Sequence, residues 1–168
     1  MAAAAAWAGL LATGAHAATL AQDKCVAPGD ATGLIQAILP GMLKGMANTC
    51  RETLPPGAFI LNQPAAFTAK YDAAAQAAAP QAVAAINVIS GDQAVGVPPE
   101  MIMPMVQGMA EPLLGGLIKP EDCVGANRIV ELLAPLPAEN LANLFVTILQ
   151  MRSAAHKDEE LPVCPMEQ

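Results

Sequence analysis

The side chains of this sequence best suited to chemistry are its sulfurs. Four cysteines, Cys25, Cys50, Cys123 and Cys164, are even in number and widely spaced, with no Cys-x-x-Cys. A zinc site takes ligands in close pairs with histidines at matching intervals, and a thioredoxin-like centre needs the close pair itself. The spacing therefore points to two disulfides and an oxidising compartment. Methionine is enriched, at nine residues. Thioether sulfur is a soft ligand that needs no deprotonation, so Met101, Met103, Met105 and Met109 are the candidate ligands for Cu(I). On a helix Met101, Met105 and Met109 share one face at i, i+4 intervals while Met103 points elsewhere, and Met42 with Met46 forms the same kind of pair. Such stripes also serve as adaptable core filler in a protein short of aromatic rings.

Catalytic parts are scarce. Beyond the first twenty residues the chain has one histidine (His156), two serines (Ser90 and Ser153), one tyrosine (Tyr71) and no tryptophan. His156 lies in a charged stretch, 156–160, just past a helix end, where solvation is its expected state. Ser153 has no evident base, oxyanion donor or enclosed cavity beside it. The acids Glu121-Asp122 and Asp158-Glu159-Glu160 read as a helix start and a solvated turn rather than a paired acid and base. The sequence is read as non-catalytic, and no cofactor is implied.

Two partial resemblances bear on function. Met101-Ile102-Met103-Pro104-Met105 resembles the Met-x-Met spacing of exported copper-handling proteins, which implies periplasmic Cu(I) binding as an alternative role. The disulfide-linked helical character resembles that of saposin-like lipid-binding domains, but four cysteines stand here where those have six, so no residue role carries over. The preferred role is binding or structural, toward an apolar small molecule or a protein partner.

Composition narrows the setting. The 168 residues are 54% hydrophobic but only 3% aromatic and 14% charged, because alanine is abundant, and the net charge is -7. An acidic chain with eight scattered basic residues has no electrostatic reason to bind nucleic acid or anionic lipid headgroups. Residues 1–17 read as an export signal ending in Ala15-His16-Ala17, with cleavage after Ala17 or alternatively Ala21. The alternative is an N-terminal helix with Trp7 and Leu10 buried. The remainder, 18–168, is one helical domain with a charged C-terminal tail. It has no uninterrupted apolar stretch long enough to span a bilayer, and the export signal with the paired cysteines makes a periplasmic or secreted location the expectation.

The elements that must position these residues are helices. Ala138 to Arg152 carries Leu141, Leu144, Phe145, Ile148 and Leu149 at helical spacing behind Pro137. Pro120-Glu121-Asp122 opens a helix whose stripe is Ile129, Leu132, Leu133 and Leu136, and acids in its first turn suit the helix dipole. If these two helices form an antiparallel hairpin about residues 134–137, Cys123 lies beside the tail and pairs with Cys164. Cys25 is then left for Cys50, which requires Leu39-Pro40-Gly41 to fold residues 31–49 into two short helices.

Residues 64–89 read as helix divided near Pro80, and Pro98-Pro99-Glu100 opens another running toward Leu117. Only Ala58-Phe59-Ile60-Leu61 looks strand-like. Residues 29–47 and 91–110 share about eight positions, Gly45-Met46-Ala47 aligning with Gly108-Met109-Ala110. A true duplication would make the two segments a pseudo-symmetric pair. The expected fold is all-α: a small orthogonal bundle of five or six short helices, broken by Pro and Gly and stabilised by disulfides.

Overall fold

A computed structural model describes residues 25–91, 98–115, 118–155 and 163–165. The leader expectation for residues 1–21, His156 with its acidic neighbours, and Met166 lie outside the described residues. The fold is all-α, as expected. Its helices are α1 (Pro28–Cys50), α2 (Ala65–Ala77), α3 (Ala79–Ser90), α4 (Pro99–Gly115), α5 (Cys123–Leu133) and α6 (Ala138–Ala155), with single 3₁₀ turns at Phe59–Leu61 and Pro120–Asp122. Among the described residues no helix is long and apolar enough to cross a membrane.

The first correction concerns Pro40. It does not turn the chain back: α1 runs unbroken for 23 residues through it. A proline inside a helix removes one hydrogen bond and costs about 3 kcal/mol or more, so tertiary packing must hold α1 together. The reason lies on one face of α1. Gly33, Ala37, Gly41 and Gly45 recur every fourth residue, all buried, and let neighbouring helices approach closely. A Cβ added to Gly33 would lie 2.3 Å from Cβ of Gln81 in α3, and one added to Gly45 would lie 2.5 Å from the Glu111 carbonyl oxygen in α4. The buried Ala82 and Ala85 of α3 and Ala110 of α4 complete these thin interfaces. Gly41 is thus closed against α4, and the buried Pro40 lies beside Thr68, Tyr71 and Asp72 of α2 rather than at a free turn.

This close packing separates the two segments that share a sequence pattern. Gly45 is buried against α4, whereas its counterpart Gly108 has open space where a Cβ would stand. Met46 packs on the core while Met109 is exposed. The aligned positions therefore occupy unlike environments, against a pseudo-symmetric pair. Opposite responses follow. Gly45→Ala is expected to lower the urea midpoint, because overpacking costs about 1–3 kcal/mol and helix propensity returns only about 1. Gly108→Ala is expected to raise stability by up to about 1 kcal/mol.

The second correction concerns the disulfides. Cys25 bonds Cys164, with Cα atoms 5.0 Å apart, and Cys50 bonds Cys123, at 5.5 Å. An unbroken α1 is about 35 Å long, far beyond the roughly 7 Å that a disulfide allows between Cα atoms, so Cys25 and Cys50 cannot pair. The expected α5–α6 hairpin is absent too. α5 starts at the C-terminal end of α1, through Cys50–Cys123, while α6 ends near the N-terminal end of α1, where Val146 packs with Val26 and Ala31. The two helices follow one another along α1 and make almost no contact with each other among the described residues. Cys123 and Cys164 accordingly lie at opposite ends of the bundle. At the second end, Val26 and Val163 form a parallel bridge, Cys164 N–H donates to the Val26 carbonyl at 2.9 Å, and the buried Gln150 donates to the Cys164 carbonyl at 2.8 Å.

The strand-like run at 58–61 is a 3₁₀ turn instead. No partner strand exists for it among the described residues. Its backbone is satisfied without a ladder: Leu61 N–H donates to Ala58 O at 3.1 Å within the turn, and Ile60 N–H to Oδ1 of the distant Asn127 in α5 at 2.9 Å.

Candidate functional site

All three phenylalanines and Tyr71 gather in one region. Phe67 and Tyr71 stand at i, i+4 on α2 and meet edge to face, ring centres 4.8 Å apart, and Phe59 meets Phe67 the same way at 5.2 Å. Phe145 of α6 joins the core from the other side. Between them lies a cavity of about 180 Å³. α1 contributes Leu39, Met42, Leu43 and Met46 to its wall; α2 contributes Phe67 and Tyr71; α5 contributes Ala126, Ile129, Val130 and Leu133; α6 contributes Leu141 and Phe145. No polar atom faces the space. Burial raises the Tyr71 hydroxyl above the ordinary tyrosine pKa, which keeps it protonated.

α5 borders the cavity with few anchors: Val130 and Leu133 pack only partly on the core, and Asn127 ties the middle of the helix to Ile60 N–H. Cys123 is the one buried residue of this helix. One end is fixed by Cys50–Cys123. The other is fixed by Lys70, whose Nζ donates to the carbonyl oxygens of Ala134 at 2.6 Å and Leu136 at 2.7 Å. The same ammonium stands 4.7 Å from the Tyr71 ring centre, within cation–π range, and burial lowers its pKa below the usual lysine value. Ile129 of α5 lines the cavity yet stays 57% exposed, so it stands at the mouth. Replacing Lys70 by Met should cost about 1–2 kcal/mol of unfolding free energy, since two charge-assisted bonds to the α5–α6 connection are lost. Urea titration of the variant beside the parent protein checks this.

The two expected stripes are divided: Leu141 is buried and Phe145, Leu149 and Leu133 pack against the core, while four of their residues turn outward. Leu144 and Ile148 of α6, and Ile129 and Leu132 of α5, are exposed rather than on the core face. On α6 the buried face is carried instead by Ala138, Leu141, Ala142, Val146 and Gln150. Small Ala142 and short Val146 allow α6 to lie close on α1, and that register turns Leu144 and Ile148 outward.

The sulfur candidates separate. Met42 and Met46 face the apolar cavity. Met101, Met105 and Met109 share an exposed face of α4, while Met103 is half-buried and turned away from them. The four cysteines are all in disulfides and none is free. Of Ser153 only its position in the last turn of α6 is described.

A second, more open depression lies at the start of α1 and α6, with Gln36, Lys70, Gln81, Glu139 and Asn143 in its wall. It offers hydrogen-bonding amides but no nucleophile oriented by a base. The buried Thr32 beside it is within 2.9 Å of the Pro28 carbonyl and 2.7 Å of the Asn143 side-chain amide, a tie between α1 and α6.

Against models of known families, curated proteins and solved structures, the chain has no significant match.

Proposed function

We propose that this is an exported, non-catalytic binding protein that holds an apolar ligand in the cavity between α1, α2, α5 and α6. The single observation carrying the reading is that cavity, which no polar atom faces and whose wall includes Phe67, Tyr71 and Phe145, with Phe59 packed behind Phe67. Apolar wall left facing water forgoes transfer free energy and dispersion contacts that an apolar occupant supplies. Met42 and Met46 give the wall flexible, polarisable side chains that adapt to a guest. Two disulfides closing long loops fit an oxidising compartment, periplasmic or extracellular.

The second reading, Cu(I) binding, rests on one observation: Met101, Met105 and Met109 present three exposed thioethers on one helical face. Native mass spectrometry of the protein purified from the cells that make it separates the two. The apolar-ligand reading expects a mass excess from an organic molecule that is lost on collisional activation. A copper adduct, or bare protein alone, would refute it.

A further inference from the structure

The chemistry and bulk of the occupant can be narrowed from the cavity itself. We infer that the site takes a small uncharged apolar molecule, or the bare apolar end of a larger one, no bulkier than about a single benzene ring. The inference rests on the cavity being the binding site, and three observations carry it.

The first is volume. The space is about 180 Å³, close to the roughly 150 Å³ of an apolar protein cavity that accepts benzene and well under the 300–1,000 Å³ typical of pockets for larger ligands. A full acyl chain or a fused-ring lipid does not fit within it.

The second is polarity. No polar atom faces the interior, and Lys70, the charged group nearest the aromatic wall, is committed to the Ala134 and Leu136 carbonyls. A carboxylate or ammonium on the guest would lose its hydration with nothing to replace it, a cost of several kcal/mol. Any charged head group must therefore remain outside on a linker long enough to clear the mouth, which the carboxylate of benzoate, bonded directly to its ring, lacks.

The third is the route. The exposed Ile129 lines the cavity from α5, whose one fully buried residue is Cys123 and whose mid-helix tie is the bond from Ile60 N–H to Asn127. A guest enters beside this helix without breaking either disulfide. The edge-to-face pair Phe67–Tyr71 and the thioethers of Met42 and Met46 suit a flat ring or a short alkyl end, since sulfur and ring edges both make favourable contacts with aromatic guests.

The test is a pair of NMR titrations of the intact, disulfide-bonded protein with labelled methionine and leucine methyl groups, one with benzene and one with benzoate. Benzene should saturate, shifting the methyl signals of Met42, Met46 and Leu133, while benzoate should bind the same site at least about a hundredfold more weakly. Equal affinity for benzoate at those methyl groups would overturn the inference. So would the absence of shifts with both probes, and the native mass spectrum then shows how much falls with it. A larger molecule bound there removes only the size and charge class, whereas bare protein removes the binding reading as well.

Discussion

Replacing Cys25 and Cys164 together by serine should lower the unfolding free energy by about 5 kcal/mol, because the bond closes a loop of 139 residues and loop-closure entropy rises with length. The Cys50/Cys123 pair, closing 73 residues, should cost about 4 kcal/mol by the same argument. Either loss is large beside the roughly 5–15 kcal/mol that holds a typical domain folded. The effects should differ in place as well as in size. Without Cys25–Cys164, the ends of the described chain are still joined by the Val26–Val163 bridge, its hydrogen bonds and the packing of both valines with Ala31, Ala85 and Val146. Without Cys50–Cys123, the start of α5 is freed beside the cavity, so hydrogen exchange should rise along α5 before it rises in α1. Peptide mapping of the unreduced protein should yield Cys25 joined to Cys164 and Cys50 joined to Cys123. Recovery of Cys25 joined to Cys50 would require α1 to be broken at Pro40.

Ala126→Leu is the second substitution with a large expected effect. Ala126 sits on the α5 wall of the cavity, and leucine extends three further carbons into empty space. At about 0.8 kcal/mol for each buried methylene, the upper bound on the gain is near 2 kcal/mol. The urea midpoint should therefore rise while the affinity for benzene falls at least about tenfold, because the added side chain takes the guest's place. Stability and binding moving in opposite directions is the signature of a site that the fold keeps empty for a ligand. If the variant gains stability and binds benzene as before, the guest occupies some other place.

The helical class and most helix starts were legible in the sequence, for local reasons. Pro99, Pro120 and Pro137 each stand at or beside a helix start, where a missing N–H costs nothing. The apolar side chains at 129, 132, 133 and 136, read as the stripe of α5, recur at helical spacing within one short segment. What was not legible depends on contacts distant in sequence. Pro40 reads as a break because proline normally is one, and only the close approach of α3 and α4 reverses that. The recurrence of Gly33, Ala37, Gly41 and Gly45 at intervals of four was the signal for this approach. Misreading Pro40 then misassigned both disulfides, since a folded α1 brings Cys25 to Cys50 and a straight one forbids it. Leu144 and Ile148 were placed inward by periodicity alone, yet the register of α6 on α1 is set by the small Ala142. The cavity is assembled from four helices, and no single segment announces it. The hint was the convergence of nearly all the chain's few rings, with Phe67 and Tyr71 one helical turn apart.

Whether the space between α1, α2, α5 and α6 is a ligand site is decided by a crystal structure of protein purified, without stripping, from the cells that make it. Continuous density for a small apolar group is expected inside the cavity, in contact with Met42, Met46 and Phe145. A cavity closed by its own side chains, with Leu133 packed directly on Phe145 and no density between them, would contradict a ligand site there.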